Sequence, residues 1–498
     1  MLDIEYTEEF NPRQWLKGYA KQHKLPKSAL LAMAATNDPF NRGQDRPAKD
    51  GITDFEKAEW YRRLHEKHAP TGRTIHLRGL HYRIVNSPEL EFMPDGITPY
   101  LNTKSCWEGF LAASKIARLL RKVDPEDLVD RKNVGGVIHV GEYPQEAPEP
   151  SFSLGLPPEL DIFSAPRFEQ PTPDGEISGA DALVPSFRVS GYDYDQGAHE
   201  EWIVEIWSEK SGDDSTIRSL ARRYDCNYVP ASGFNSITAV VQVLKRLENM
   251  GKKVVILYLS DHDPAGEDMP PAIARQFQFR CWELEEIAEE VAPSILVDKV
   301  AVTPKQKMDW GLPGVPVKAT HSATPRFEAL HGPDAGVEID ALEAIYPGRL
   351  ASILEKRIKE FRDDRLARRF REAHFEAQSR VETALEEIEE DYTQRVEDIQ
   401  RRLQVIAQRY EGVYEQLGDI VRERYDRLAE RYDRHVAPLR EELQEIQEEI
   451  ERDLEELEVE LPELPEPEID PDREKFLFDS ERGFIEQTAR LRAVKGKS

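Results

Sequence analysis

The stretch "VVILYLSDHDPAGEDM" (residues 254–269) joins an apolar run to a cluster of acidic residues. The run "VVILYL" contains no charged side chain, which is typical of a buried β-strand. Asp261, Asp263, Glu267 and Asp268 then follow within eight positions. Carboxylates crowded in this way repel one another unless a cation or a specific turn accounts for them. The stretch therefore raises the question of what these acids bind.

Strand and helix patterns alternate on the N-terminal side of this stretch. "WIVEIW" (202–207) and "CNYVP" (226–230) predict strands, whereas "DDSTIRSLARRY" (213–224) and "NSITAVVQVLKRLENMG" (235–251) predict helices. Strands that alternate with helices of this length indicate a parallel sheet with right-handed crossovers. We therefore expect an α/β domain over residues 201–350.

Three acids are expected at the carboxyl ends of the strands in this sheet, where ligands of such sheets gather. Asp261 and Asp263 follow "VVILYL", and Glu209 follows "WIVEIW" in the same way. Three carboxylates form a hard oxygen site that suits Mg²⁺. Alternatively, Asp261 and Asp263 shape a turn with Pro264 and Gly266. The spacing leaves both interpretations open.

The remaining segments differ in composition from the predicted α/β domain. Residues 351–461 carry Val, Leu, Ile and Tyr at three- and four-residue steps, which predicts a coiled coil with a helix end near Pro438. The segment 141–200 is acidic and rich in proline, and has too little apolar periodicity to predict a core. The other predicted segments are an N-terminal helical segment (1–70), a mainly helical, winged-helix-like domain (71–140) and a tail (462–498).

Charge and hydropathy limit the surroundings and partners of the chain. The formal net charge is −28, but basic residues slightly outnumber acidic ones in residues 1–140, so only that part suits contact with phosphates. No apolar run is long enough to span a membrane, and the acidic N-terminus lacks a signal-peptide core. The three cysteines stand far apart, without the spacing of a zinc site or a disulfide framework. We therefore expect a cytoplasmic protein without a membrane contact.

The acidic motif and its neighbours resemble a known domain. Glu209-Lys210 after one strand, Gly233 after the next and "DHDPAG" (261–266) after a third resemble the Toprim domain. The pattern Asp-x-Asp-Pro-x-Gly resembles the version in the topoisomerase VI A subunit and in its relative, the meiotic double-strand-break transesterase. This resemblance implies that Glu209, Asp261 and Asp263 bind Mg²⁺.

That family also contains a winged-helix domain with a nucleophilic tyrosine in the motif Arg-Glu-Ile-Tyr-Tyr. In "LRGLHYRIV" (77–85), Arg78 and Tyr82 match the motif, whereas Gly79 replaces the acid and His81 replaces the first tyrosine. A phenol needs a nearby cation to become a phenolate nucleophile, and Arg78 lies four residues before Tyr82, on the same face of a helix. The resemblance implies that Tyr82 is the nucleophile. The alternative is a packing role for Tyr82.

The resemblance covers roughly residues 20–360 and extends to phage, plasmid and prokaryotic A-like proteins that lack an obvious ATPase. It implies Mg²⁺-dependent cleavage of double-stranded DNA through 5′-phosphotyrosyl links, carried out by a homodimer. Strand passage requires ATP, and the chain has no GxxxxGK[ST] loop, so a separate ATPase subunit is a possible partner. Two alternatives are a metal-dependent nuclease without a covalent intermediate and a non-catalytic, DNA-associated coiled-coil scaffold.

Overall fold

The computed structural model describes most of the chain in two compact units. One unit comprises residues 1–145, 196–363 and 467–498, and the other comprises residues 146–195 and 364–466. The residues whose structure is described are 10–27, 29, 38–44, 50–70, 74–129, 141, 147–162, 175–209, 214–230, 237–248, 250–288, 290–319, 321–417 and 422–494.

The helices of these described residues differ widely in length, and none of them is both long and apolar enough to cross a membrane. In chain order they are α1 (Pro12–Gln22), α2 (Asp54–His68), α3 (Leu77–Val85), α4 (Lys104–Leu119), α5 (Gln196–His199), α6 (Asp214–Arg223), α7 (Ile237–Leu247), α8 (Pro264–Ile287), α9 (Pro304–Trp310), α10 (Thr324–His331), α11 (Ile339–Ile345), α12 (Arg349–Lys359), α13 (Leu366–Leu417), α14 (Arg422–Glu455) and α15 (Phe484–Val494).

The strands form one larger sheet and several short pairs. In chain order they are β1 (Ile75–His76), β2 (Leu128–Val129), β3 (Ser151–Leu154), β4 (Asp161–Ile162), β5 (Ile177–Ser178), β6 (Phe187–Ser190), β7 (Trp202–Ser208), β8 (Asn227–Pro230), β9 (Lys253–Leu259), β10 (Ile295–Ala301) and β11 (Phe478–Asp479).

The first unit is built on a five-stranded sheet with the order β11-β10-β9-β7-β8. Strands β8, β7, β9 and β10 are parallel to their neighbours, whereas β11 is antiparallel to β10. The predicted mixed α/β architecture with a mostly parallel sheet is therefore confirmed. Because β7 and β9 are adjacent, the residues that follow them meet at one edge of the sheet.

Side chains on both faces of this sheet are buried. Along β7, Val204 and Ile206 belong to a core that includes α6 and α12, whereas Ile203 and Trp207 belong to a second core with α7 and α8. Alternate residues of a strand point to opposite faces, which explains why the strand is apolar along most of its length. The buried exception is Glu205, which forms an ion pair with Arg246 at 2.6 Å.

The N-terminal helices pack within the same unit as the sheet. Leu16 of α1 and Leu119 of α4 share a core with Ile237 of α7. The buried carboxylate of Glu283, on α8, accepts hydrogen bonds from the guanidinium of Arg121 at 2.8 and 2.7 Å. Residues that the sequence assigned to separate segments (1–70, 71–140 and 201–350) therefore lie in one compact unit.

The second unit is dominated by α13 and α14, which lie side by side and run antiparallel. Their apolar residues form a continuous core, and residues late in α13 meet residues early in α14. The side-chain pairs that join the two helices are Tyr392–Asp453 (2.6 Å), Arg395–Glu449 (2.6 Å), Arg402–Glu442 (2.5 Å) and Tyr410–His435 (3.0 Å). The apolar seam predicts packing either across a dimer or in an antiparallel hairpin that folds near Pro438. The helices do form an antiparallel hairpin, but Pro438 lies inside α14 and not at the turn.

The predicted helix end near Pro438 is wrong, because α14 continues through this proline. A proline in a helix removes one backbone hydrogen bond and costs stability. Val436 and Leu439, on either side of Pro438, are buried against the neighbouring helix. This packing offsets the local cost, since tertiary contacts supply most of the stability of a helix in a protein.

Parts of the acidic, proline-rich segment 141–200 form short strands. Within its described residues, β3 pairs with β6 and β4 pairs with β5, in both cases antiparallel. Ile162, Ile177 and Val189 are buried in one core with α13 and α14. Strands of two to four residues are too short to show a period in the sequence, and their apolar partners are about two hundred residues away along the chain.

Candidate metal site at the carboxyl ends of the strands

Glu209 and Asp261 lie together where β7 and β9 end. The backbone amide of Glu209 donates to the carbonyl oxygen of Leu259 at 2.9 Å, and the amide of Asp261 donates to the Glu209 carboxylate at 3.3 Å. The parallel pairing of β7 with β9 therefore extends beyond both strands and carries the two side chains to the same place. Glu209 and Asp261 therefore meet at neighbouring strand ends.

Asp261 and Asp263 also have structural roles, as the turn interpretation predicted. Asp263 is the N-cap of α8, and its carboxylate accepts a 2.6 Å hydrogen bond from the amide of Gly266. The buried carboxylate of Asp261 accepts a 2.9 Å hydrogen bond from the amide of Ile339. A Cβ at residue 266 would clash with the carbonyl oxygen of Asp261, so this close turn requires glycine. A carboxylate can accept several hydrogen bonds or bind a cation, so these roles are compatible with metal binding.

The electrostatics of this edge favour a bound cation. Burial and the charges of Asp261 and Asp263 raise the pKa of Glu209 to about 7. A carboxylate with a raised pKa is one whose ionised form is poorly stabilised by its surroundings. The donor set, three carboxylates from adjacent strand ends, is of the kind that binds Mg²⁺. These residue types suit Mg²⁺, but among the described residues their ligand atoms do not form a close group of three, and their role as ligands stays a prediction.

Lys299, on β10, is a member of this edge that the sequence reasoning missed. Its ammonium donates to the carbonyl oxygens of Asp261 at 3.0 Å and Gly266 at 3.2 Å. Burial lowers the pKa of Lys299, whereas Glu267, Asp263, Glu209 and Asp261 act in the opposite direction. Lys299 supplies one positive charge against several negative ones, so an added cation would still be stabilising. The available signal was a lysine within the apolar run "ILVDKVAV" (295–302), but nothing local linked it to the acids.

His262 differs from the solvent-facing loop position that is the default expectation for a histidine between two acids. Its side chain is only 1% exposed, and its backbone exchanges two 2.8 Å hydrogen bonds with Val337. The ring forms a 2.9 Å hydrogen bond with Glu267 and lies beside His331 of α10, with 4.8 Å between the ring centroids. His262 therefore faces Glu267 and His331, although it stands between Asp261 and Asp263 in the sequence.

Tyr82 and Arg78 lie one turn apart on α3, as the spacing predicted. Tyr82 is 49% exposed, whereas its neighbour His81 is buried and lies 2.7 Å from the hydroxyl of Tyr100. The guanidinium of Arg78 lies 5.7 Å from the centroid of the Trp107 ring. An exposed hydroxyl is what a nucleophile for a macromolecular substrate needs, and the catalytic roles of Tyr82 and Arg78 stay predictions.

Other parts of the motifs lie outside the described residues. These are Lys210, Gly233 with its neighbours in "ASGFNS" (231–236), and most of the strand-like "GGVIHVGEY" (135–143). The sheet edge is therefore defined by Glu209, Asp261 and Lys299.

Comparison of the sequence with protein-family models and with curated proteins finds no match to either. The resemblance to topoisomerase VI A subunits therefore depends on the sequence motifs alone.

Proposed function

We propose that this protein is a Mg²⁺-dependent DNA-cleaving transesterase similar to the topoisomerase VI A subunit, acting on double-stranded DNA. The observation that supports the proposal most is the contact between Glu209 and Asp261 at the ends of adjacent parallel strands, together with the charge of Asp263 acting on Glu209. In this proposal the sheet of the first unit is a Toprim domain, and the helices around Tyr82 belong to a winged-helix domain.

The three carboxylates would hold Mg²⁺ and need it to remain ionised together. When bound, Mg²⁺ would stabilise negative charge on phosphate oxygens and orient the DNA backbone. Asp261 and Asp263 are fixed by hydrogen bonds to backbone amides, so two of the ligands are held in place before the metal binds. The charge state of Glu209 is expected to respond to the metal, because its pKa is raised.

Tyr82 would supply the nucleophilic oxygen. Its hydroxyl loses a proton and attacks the phosphorus, the new O–P bond joins the tyrosine to the 5′-phosphate, and the bond to the 3′ oxygen breaks. That oxygen takes up a proton and leaves as a 3′-hydroxyl. Arg78, one turn away on an exposed face of α3, would stabilise charge on the phosphorane.

Cleavage of both strands would require a homodimer. In the proposed arrangement, Tyr82 of one protomer acts together with the acids of the other protomer. Each such composite site cuts one strand, and the dimer contains two of them. Strand passage would additionally need ATP-driven movement, which a separate subunit would supply. The chain alone is therefore expected to cut DNA without relaxing it processively.

The test is covalent capture on supercoiled plasmid in the presence of Mg²⁺, stopped with detergent and followed by detection of protein-linked 5′ ends. Wild-type protein should give adducts and linear DNA. Tyr82→Phe should give neither and should keep its thermal stability, because an exposed hydroxyl contributes little to packing. Adducts that persist in this variant would refute the assignment of the nucleophile.

Tyr100→Phe is a matched control, because it removes the same atom from a buried position in the same helical region. Tyr100 is bonded to His81, so its loss should lower the melting temperature while adducts continue to form. Cleavage without adducts in the wild type would support a metal-dependent nuclease. Absence of any cleavage in the wild type would support a non-catalytic scaffold.

A further inference from the structure

We propose that His262, Glu267 and His331 form a second metal site, which binds a transition-metal ion of the Zn²⁺ class. This site differs in its ligand chemistry from the three carboxylates described above. Two imidazoles and one carboxylate are typical ligands of zinc and related metals, whereas Mg²⁺ prefers oxygen ligands alone. The inference does not depend on DNA cleavage.

The three ligand groups are close enough to share one ion. Nδ1 of His262 lies 2.9 Å from Oε1 of Glu267, and Nε2 of His331 lies 3.7 Å from Oε2 of Glu267. The ligand atoms of all three residues lie within 4.8 Å of one another. Donors in a tetrahedral zinc site, with bonds of about 2.0–2.1 Å, stand about 3.3 Å apart. Small side-chain rotations would therefore complete the coordination.

The fold holds the three ligands from separate elements. His262 lies on the loop after β9, where its backbone is fixed by two hydrogen bonds to Val337. Glu267 lies in the first turn of α8, and His331 lies in the last turn of α10. Phe327, one turn before His331, packs against the His262 ring with 5.0 Å between the centroids. A site whose side chains are supported in this way is preorganised for binding.

The accessibility of the cluster fits an ion that enters from solvent. His262 is 1% exposed, whereas the side chains of Glu267 and His331 are 17% and 21% exposed. Three protein ligands leave a fourth position of a tetrahedral ion for water or a substrate, as in catalytic rather than structural zinc sites. The cluster is therefore a candidate for a second, exchangeable metal beside the acidic edge.

Titration of the metal-free, full-length protein with Co²⁺ tests the proposal, because tetrahedral cobalt has strong visible absorption. We expect one equivalent to bind with this spectrum, and Zn²⁺ to displace it. His331→Gln should weaken Co²⁺ binding more than about tenfold. Because His331 lies near a helix end and is partly exposed, this variant should remain folded, which circular dichroism checks. Glu267→Gln gives a second test that keeps the size of the side chain.

Two further variants separate this site from its surroundings. His321→Gln, a histidine just before α10 and outside the cluster, should leave Co²⁺ binding unchanged. Glu209→Gln should also leave it unchanged while removing binding of Mg²⁺ to the carboxylates. The proposal is overturned if the wild type shows no tetrahedral cobalt spectrum, if folded His331→Gln binds Co²⁺ as the wild type does, or if Glu209→Gln alone abolishes the spectrum.

Discussion

Carboxylates are frequent in two regions of this molecule, and the charges next to them differ between the two regions. In the hairpin of α13 and α14, Glu442 is partly exposed and its pKa is lowered by hydrogen bonds from Arg402. At the sheet edge, burial and neighbouring acids raise the pKa of Glu209 to about 7. The Glu442 carboxylate faces a cation of the fold, whereas Glu209 is affected more by the neighbouring acids than by Lys299. Acidic composition therefore reveals less about function than the charges that each acid meets.

The two regions should differ most in how the replacement of a single acid changes the rate of DNA cleavage. Glu209→Ala should reduce Mg²⁺-dependent DNA cleavage by at least about a hundredfold, because a metal ligand and its charge are lost. Glu442→Ala, the matched change in the hairpin, should leave the cleavage rate within about twofold. Plasmid cleavage rates at a fixed Mg²⁺ concentration measure both. Equal rates in the two variants would remove the distinction between these acids.

Glu209 is a cleaner choice for this experiment than Asp261 or Asp263. Both aspartates accept hydrogen bonds from backbone amides, so replacing them would also disturb the loop and the start of α8. A loss of activity in either aspartate variant therefore needs a stability measurement beside it.

A buried acid that is paired with cations should behave differently from both Glu209 and Glu442. Glu283 forms ion pairs with Arg121 and Arg280. Burial acts to raise the pKa of Glu283, but these two cations lower it to about 2. Arg121→Ala should lower the free energy of unfolding by about 3 kcal/mol, because it leaves a buried charge with fewer partners. Chemical denaturation of the wild type and the variant measures this loss. A change below about 1 kcal/mol would show that Arg280 alone suffices.

The pH dependence of stability should show the cost of ionising Glu209. Its pKa is about 7 in the folded protein and near its usual value of 4.5 in the unfolded chain, so the folded state binds the proton more tightly. Without metal, stability should fall as the pH rises from about 4.5 to 7 and should stay reduced above that range. Glu209→Gln removes this cost, so the variant should be more stable than the wild type by about 1–3 kcal/mol at pH 8.

Thermal unfolding at pH 4.5 and pH 8, in chelator, checks this sign. The two proteins should unfold at similar temperatures at pH 4.5, where Glu209 is protonated in the folded state and only about half ionised in the unfolded chain. Added Mg²⁺ should stabilise the wild type at pH 8 and should not stabilise Glu209→Gln. A variant that is less stable than the wild type at pH 8 would contradict the electrostatic description of the edge.

The smallest effect is expected for an ion pair of the hairpin. Arg402→Ala removes the pair with Glu442 between exposed parts of α13 and α14, where solvent screens the charges. The free energy of unfolding should fall by about 1 kcal/mol or less, and by a smaller amount in high salt. Denaturation at low and high ionic strength measures the difference. A loss comparable to that of Arg121→Ala would mean that the hairpin acids are not merely surface partners.

Local sequence was sufficient to predict the mostly parallel sheet and the contact between Glu209 and Asp261 at its edge. The apolar strands β7 and β9 specify adjacent, parallel positions through their helical connections, so Glu209 and Asp261 follow at one edge. Asp263, Pro264 and Gly266 likewise indicate a turn, since their backbone preferences act within a few residues. These predictions succeeded because the determining interactions are short in range.

The features that could not be predicted depend on contacts between residues that are distant along the chain. His262 is buried because Val337 pairs with its backbone, and Lys299 reaches the acids through the register of β10 on β9. Ile177 is buried by helices that begin almost two hundred residues later. No periodicity near these residues specifies such contacts. The continuation of α14 through Pro438 has the same origin, because the helix is stabilised by packing against α13.

The short strand β11 has a consequence for how this chain is made. Residues Asp479 and Phe478 pair with Leu296 and Val297 of β10, although the whole of α13 and α14 lies between them in the sequence. A ribosome that adds about 5–20 residues per second needs roughly ten to forty seconds to span this interval. During that time the edge of β10 has no strand to cover it, which is a state that favours wrong pairing. Nascent chains halted before residue 478 should therefore show rapid amide exchange along β10, and chains that include α15 should not.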